Sequence, residues 1–163
     1  MPVTDVRKDI ATLTMTVVSE WGAPIGAVWQ LWADPRKLER WWGPPTYPAT
    51  VVEHDLSRGG RVSYLMTGPQ GDQHRGWWKV LDVQDLQRLE LQDGFSEPDG
   101  TPSESMPTTL VSVSFAELAG ARTRMVIDTI FASLESMSQL IEMGMEEGLA
   151  AAMSQIDEIL ALS

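Results

Sequence analysis

Carboxylates and histidines are the side chains of this sequence that could carry catalysis or hold a metal ion. The chain has no Cys and two His, His54 and His74. Thiolate metal sites, disulfides and a cysteine nucleophile are therefore excluded. A metal site would need carboxylates gathered from several strands, and no ligand spacing of a recognised type is present. We predict no metal and no cofactor.

The tripeptide Glu53-His54-Asp55 places an acid, a base and a second carboxylate next to one another. In a strand, however, successive side chains point to opposite faces, so Glu53 and Asp55 share one face and His54 lies on the other. We interpret the three as polar residues beside a turn rather than as a catalytic set.

Asp93 and Asp128 stand in strands that are otherwise patterned as apolar. Either could be a buried carboxyl with a raised pKa and an acid or base role, although a surface position is the simpler expectation. The sequence has no Gly-x-Ser-x-Gly elbow, no phosphate-binding glycine loop and no dinucleotide fingerprint. Hydrolase and nucleotide-binding functions thus have no local support, and no catalytic residue is predicted.

The charge of the chain argues against polyanionic partners. With 23 acidic and 12 basic residues, its formal net charge is −11, and the cations form no cluster that would attract phosphate. We predict no nucleic-acid and no membrane partner. The N-terminal stretch mixes charges into an alternating pattern unlike a signal peptide or a spanning segment, so we expect a cytoplasmic protein.

Alternating apolar residues from Leu13 to Trp21 predict a first strand. Two short helices are expected next, the second capped by Asp34 with Pro35 at its first position. Turn sequences at 58–60, 68–71, 84–85, 98–100 and 119–120 then separate five or six further strands. Because these connections are local, the sheet should be a mostly antiparallel meander.

The C-terminal region changes to a helical period. Apolar residues recur at spacings of three and four from Leu134 to Ala161, and Ser133 can cap the start. One helix of this length would extend roughly 40 Å and could cover a small sheet. It contains Gly144 and Gly148, each costing about 0.5–1 kcal/mol relative to alanine. Close packing against the sheet or room for a ligand would explain them.

The chain has seven Trp, and six of them occur as Trp29 and Trp32 and in the pairs 41–42 and 77–78. Large aromatic rings fill protein cores, but they also line ligand pockets. On a strand the rings of Trp77 and Trp78 must point to opposite faces, so at most one of them faces a cavity.

Several segments together resemble a known family. They are 21–29 (WGAPIGAVW), 32–35 (WADP), 38–45 (LERWWGPP), Gly59-Gly60, 66–69 (MTGP), 120–124 (GARTR) and 144–149 (GMEEGL). They are similar to single-domain bacterial relatives of the 90-kDa heat-shock-protein ATPase activator, within the SRPBCC or START/birch-pollen-allergen-like superfamily. The similarity extends from about Thr14 to Leu160.

This resemblance implies an α+β helix-grip fold. In that fold a curved, mainly antiparallel sheet of six to seven strands wraps around a long C-terminal helix, with two short helices after strand one. We expect a single domain over 1–163 with a core of about 12–161.

The superfamily binds lipids, sterols, polyketides or other hydrophobic molecules between helix and sheet. The resemblance therefore implies noncatalytic binding of a small hydrophobic molecule. Two alternatives stay open: a co-chaperone-like interaction module, and a cyclase, dehydratase or hydrolase that uses Asp93, Asp128 or His54 on an apolar substrate. A homodimer is also left open. The predicted cavity lining, chosen from the helix stripe and strand parity, is Trp32, Tyr64, Met66, Trp78, Phe95, Phe131, Met137, Leu140, Ile141, Met145 and Leu149.

Overall fold

A computed structural model describes residues 3–162 and contains one antiparallel sheet. In chain order its eight described strands are β1 (Val3–Asp9), β2 (Thr14–Trp21), β3 (Ala49–His54), β4 (Arg61–Thr67), β5 (Gln73–Gln84), β6 (Arg88–Ser96), β7 (Thr109–Leu118) and β8 (Arg122–Phe131). The spatial order is β1-β2-β8-β7-β6-β5-β4-β3. The predicted turns fall between strands, except that Gln84 is the last residue of β5, and the antiparallel meander is confirmed for β3 to β8.

Five helices lie outside the sheet within residues 3–162. They are α1 (Ile25–Ala33), α2 (Pro35–Trp41), α3 (Leu134–Glu142), α4 (Met145–Met153) and α5 (Ile156–Ala161). The Asp34 side chain accepts a hydrogen bond of 2.9 Å from the Arg36 amide, and Pro35 is the first residue of α2. The capping prediction is thus confirmed. The antiparallel sheet together with these helices confirms the α+β helix-grip fold.

No helix in the described range is both long and apolar enough to cross a bilayer.

The sheet has more strands than predicted, because β1 was missed. Its sequence does not alternate between apolar and polar residues, and only Val3 and Val6 are partly buried. Pairing with the backbone of β2, rather than burial of one face, makes this segment a strand. The two short helices consequently follow the second strand, and the described fold begins well before the expected core.

The prediction of one continuous C-terminal helix was also wrong. Gly144 has φ of +92°, a left-handed conformation that glycine adopts without the steric cost of a Cβ. It separates α3 from α4, and a second break at Ser154 and Gln155 separates α4 from α5. The apolar stripe predicted for one long helix is therefore divided among three short helices, and the middle one, α4, begins at Met145.

Tryptophans fill much of the space between the sheet and the first two helices. The ring centroid of Trp32 lies 5.0 Å from that of Trp41, 5.8 Å from that of Trp42 and 5.7 Å from that of Trp78. We call these four residues the tryptophan cluster. Trp78 is 0% exposed on the inner face, whereas Trp77 covers Gly94 on the outer face. The opposite orientation predicted for this pair is confirmed.

Candidate functional site

A partly enclosed cavity lies between the inner face of the sheet and α4. Its volume is about 280 Å³, nearly twice the roughly 150 Å³ of an engineered cavity that binds benzene. Most of its wall is apolar. The lining residues are Met15, Trp42, Pro44, Tyr64, Met66, Asp93, Val111, Ile127, Thr129, Met145, Gly148 and Leu149.

A smaller chamber, which we call the annex, adjoins this cavity. It has a volume of about 50 Å³ and shares Tyr64, Asp93 and Met145 with the main cavity. The remaining annex residues are Gly94, Phe95, Pro107, Thr109 and Leu140. The shared residues mark the place where the two spaces meet.

Gly148 explains why α4 leaves space above the sheet. A Cβ added at this position would meet no heavy atom within 4 Å, although Met145 and Leu149 on either side both line the cavity. Close packing of the helix against the sheet therefore does not account for this glycine. Gly144 has a different explanation, since its positive φ forms the break between α3 and α4.

Tyr64 and Asp93 form the polar part of the site. Tyr64 lies on β4 and Asp93 on β6, and the strand between them, β5, places Gly76 directly beside Tyr64. A Cβ at Gly76 would overlap the phenol ring and its hydroxyl. Without that side chain, the Tyr64 hydroxyl reaches across β5 and donates a hydrogen bond of 3.3 Å to Asp93 Oδ1.

Tyr64 is buried and Asp93 is half-buried, and the loss of water around them gives the pair unusual protonation behaviour. Desolvation raises the pKa of Asp93 to about 7, opposed by the hydrogen bond from Tyr64 and one from the Gly94 backbone. The pKa of Tyr64 is raised well above its ordinary value, first by burial and then by the charge of Asp93. No Lys, Arg or His lines either chamber in the described part of the chain. Asp93 is therefore present both as acid and as carboxylate near neutral pH.

Three buried polar atoms of the described residues have no hydrogen-bond partner: Trp42 Nε1, Trp78 Nε1 and Thr109 Oγ1. Both indole N–H groups act on the Tyr64 oxygen and oppose the rise in its pKa, without reaching ordinary hydrogen-bond geometry. Thr109 is 4% exposed, lines the annex and is the direct cross-strand partner of Asp93. Unused hydrogen-bonding capacity is thus concentrated around Tyr64 and Asp93.

The structure brings part of the predicted lining together. Tyr64, Met66, Met145 and Leu149 line the main cavity, and Phe95 and Leu140 line the annex. The other five predicted residues line neither chamber and belong to the packed interior. They are Trp32, Trp78, Phe131, Met137 and Ile141.

The reason for this difference is that facing inward is not sufficient for lining a cavity. Trp32 and Trp78 pack against one another in the tryptophan cluster. Phe131 and Met137 are 3% and 2% exposed, and Ile141 packs against the core. Side chains of neighbouring elements already occupy the space in front of these residues.

Sequence reasoning also missed residues that do line the cavity. Met15, Val111 and Ile127 alternate correctly for the inner face of their strands, so strand parity could have identified them. Trp42 follows the end of α2, where no periodic pattern indicates a direction. Asp93 lies two residues after the buried Leu91 on β6 and therefore faces the same side of the sheet. This strand parity could have indicated that Asp93 faces the cavity.

The three candidate acid or base residues have different environments. Asp93 lies in the cavity, so the expectation of a surface position was wrong for it. Asp128 is half-buried on the opposite face from Ile127 and accepts a hydrogen bond of 2.5 Å from Thr16 Oγ1. His54 Nε2 lies 3.0 Å from the backbone oxygen of Trp32 and lines neither chamber.

The tripeptide 53–55 does not form a catalytic set. A β-bulge lies between Val51 and Glu53, and Glu53 accepts a hydrogen bond from Ser63. Asp55 accepts one from Ser57 in the following turn. Within residues 3–162, no group of three or more His, Asp or Glu residues is arranged to hold a metal ion.

Comparison with known proteins places this architecture in a family. The family model described as Activator of Hsp90 ATPase homolog 1-like protein matches residues 22–161. The crystal structure of Ms6760 from Mycobacterium smegmatis is 44% identical with a TM-score of 0.90, covering 98% of this chain and 97% of that one. A solution structure from Arthrobacter aurescens is 43% identical with a TM-score of 0.93, covering 99% and 93%.

A more distant relative has the same fold. The AHSA1 protein from Silicibacter pomeroyi is 21% identical with a TM-score of 0.74, covering 91% of this chain and 98% of that one. The comparison with curated proteins gave no match. The family model and the two structures above 40% identity establish that the chain belongs to the Activator of Hsp90 ATPase homolog 1-like family.

Proposed function

We propose that this protein binds a small hydrophobic molecule in the cavity between the sheet and α4, without catalysing a reaction on it. The observation that carries the proposal is the apolar space of about 280 Å³ beneath Gly148. Packing of α4 does not require a small residue at position 148, yet the chain has a glycine there. The fold of the family is compatible with this function.

The volume limits the size of the ligand. Small-molecule sites are mostly apolar pockets of about 300–1,000 Å³, so this cavity of about 280 Å³ lies just below that range. Since roughly 150 Å³ accommodates one benzene ring, a molecule of two fused rings is a suitable match. Naphthalene is therefore a reasonable first probe.

The proposal can be tested by titrating the ¹⁵N-labelled protein with naphthalene and following its NMR spectrum. We expect saturable shift changes at Met66, Met145 and Leu149, which line the cavity. Gly148→Leu should abolish them because the new side chain would occupy the space that the ligand needs. Ala150→Leu is the matched control, since Ala150 is on the exposed side of the same helix. Equal binding by all three proteins, or none by the wild type, would contradict the proposal.

A second candidate function is acid–base catalysis on an apolar substrate. It is favoured by Asp93, whose carboxyl lies in the cavity with a pKa of about 7, near the optimum for a general acid or base at neutral pH. Native mass spectrometry of protein from its own organism would identify a copurifying molecule. A change in the mass of that molecule on incubation with wild type, but not with Asp93→Asn, would favour catalysis over simple binding.

The family description also keeps a co-chaperone role as an alternative, because it names an activator of the Hsp90 ATPase. The direct test is the ATPase rate of purified Hsp90 with and without this protein. A stimulation that survives Gly148→Leu would assign the interaction to an outer surface rather than to the cavity.

A further inference from the structure

The polar groups around the cavity are concentrated at one place, and this limits the chemistry of the ligand. Tyr64 and Asp93 line both chambers where the main cavity joins the annex, and Thr109 lines the annex as the cross-strand partner of Asp93. We call these three residues the polar end. Among the other described lining residues, the polar side-chain groups are the hydroxyl of Thr129 and the indole N–H of Trp42, which acts on the Tyr64 oxygen. A ligand in this cavity therefore has an apolar body and one end next to the polar end.

The polar end has hydrogen-bonding capacity that the protein does not use. Thr109 Oγ1 is buried without a partner, which is costly unless another molecule supplies the missing bond. Asp93 accepts one side-chain hydrogen bond, from Tyr64, whereas a carboxylate has room for about four. Because Asp93 and Thr109 are direct cross-strand partners, their Cβ atoms lie about 4.5–5.5 Å apart. One small group can contact both side chains.

The charge of the polar end excludes one common class of hydrophobic ligand. Fatty acids and other carboxylates would place a second negative charge beside Asp93, and no Lys, Arg or His of the described residues lines either chamber to neutralise it. Burying an unpaired charge is strongly unfavourable. A hydroxyl group has no such penalty, since it can donate to the Asp93 carboxylate and accept from the Thr109 hydroxyl.

We infer that the ligand is an apolar alcohol or phenol whose hydroxyl group binds between Asp93 and Thr109, and that the site rejects carboxylates of the same size. This inference rests on the proposed binding function and makes it specific. It assigns selectivity for a functional group to two residues on adjacent strands, β6 and β7.

Hydrophobic binding, the preference for a hydroxyl group and the rejection of carboxylates can be tested separately with three probes that share one ring system. The probes are naphthalene, 2-naphthol and 2-naphthoate. Dissociation constants should be measured by NMR titration at about pH 8, where Asp93 is mostly ionised. We expect 2-naphthol to bind about tenfold tighter than naphthalene, as one charge-assisted hydrogen bond can provide. 2-Naphthoate should bind at least about tenfold more weakly than 2-naphthol.

The outcomes distinguish the inference from the proposed function. Equal affinity for naphthalene and 2-naphthol, or tight binding of 2-naphthoate, would overturn the inference and leave hydrophobic binding intact. If none of the three probes binds, both are overturned.

Thr109→Val provides a second test that keeps the shape of the side chain. It removes a buried hydroxyl that has no partner, so the variant is expected to fold. The ratio of naphthalene to 2-naphthol dissociation constants should fall about threefold or more toward one. Thr123→Val is the matched control, because Thr123 is buried away from the cavity and its hydroxyl donates to the Ala23 oxygen at 2.8 Å. An unchanged ratio in Thr109→Val would contradict the role of Thr109.

Discussion

The hydroxyl of Tyr64 donates a hydrogen bond to Asp93 across a strand to which neither residue belongs. Tyr64 lies on β4 and Asp93 on β6, and Gly76 of β5 leaves the space over which the phenol ring lies. The pair thus depends on a residue that has no side chain. The packing of the sheet at Gly76 therefore determines whether the Tyr64 hydroxyl can reach the Asp93 carboxyl in the cavity.

Gly76→Ala should therefore disturb the site without changing any polar group. The added methyl group would overlap the Tyr64 ring, and overpacking of this kind costs roughly 1–3 kcal/mol of folding free energy. We expect a lower unfolding midpoint in urea and a displaced Tyr64 ring. Gly26→Ala is the control, because Gly26 lies in α1 with no atom within 4 Å of its added Cβ. That change should be neutral or stabilising by up to about 1 kcal/mol. Equal stability of the two variants would show that Tyr64 does not need the space.

Tyr64→Phe should raise the pKa of Asp93 above its wild-type value of about 7. The hydrogen bond from Tyr64 stabilises the carboxylate and so opposes the effect of burial. Titration of the ¹³C carboxyl resonance of Asp93 measures this directly. Tyr47→Phe is the matched control, because Tyr47 donates to Asp72 at 2.8 Å and lowers the pKa of that exposed carboxyl. It should raise the pKa of Asp72 alone. A fall in the Asp93 pKa in Tyr64→Phe would contradict the assigned hydrogen bond.

Asp93→Asn should make the protein more stable than the wild type as the pH rises. The pKa of Asp93 is about 7 in the folded state and 3.8 ordinarily, so between these values the unfolded chain loses this proton while the folded chain keeps it. The contribution of Asp93 to wild-type stability then falls with pH in that window, at a rate that approaches 1.4 kcal/mol per pH unit. The Asn variant does not lose stability in this way. The difference between its free energy of unfolding and that of the wild type should therefore reach a plateau above about pH 7.

Urea denaturation at several pH values measures this difference. Asp157→Asn controls for the removal of one negative charge, since Asp157 is exposed on α5. Its stability relative to wild type should stay nearly constant from about pH 5 to 7. A difference between Asp93→Asn and wild type that does not change with pH would show that Asp93 is hydrated and ordinary in the folded protein.

The sequence predicted the elements that depend on local patterns. The alternation of β2, the cap at Asp34 and the turns between the strands each follow from a few adjacent residues, and the structure contains all of them. It did not predict β1, because that strand depends on backbone pairing rather than on burial. Nor did it predict the break at Gly144, since a glycine within a helical period does not specify its own φ.

The candidate site was less predictable because a cavity is defined by absent atoms. Strand parity correctly gave the inner orientation of Tyr64 and Trp78, yet Tyr64 lines the space whereas Trp78 is packed against other tryptophans. That distinction depends on neighbours distant in sequence, among them Gly76 and Gly148. For the same reason, the burial of Asp93 depends on the covering helix as well as on its own strand.

The two glycines of the C-terminal region should respond oppositely to the same substitution. Gly148→Ala places a methyl group in open space within α4, so the better helix propensity of alanine should stabilise the protein by about 0.5–1 kcal/mol. Gly144→Ala forces an ordinary residue to a φ of +92°, which should cost roughly 1–2 kcal/mol. Urea denaturation of both variants tests the pair, with each serving as the control for the other. A loss of stability in Gly148→Ala would mean that the helix packs closely there, and it would remove the main support for the cavity. A gain in Gly144→Ala would mean that α3 and α4 form one continuous helix.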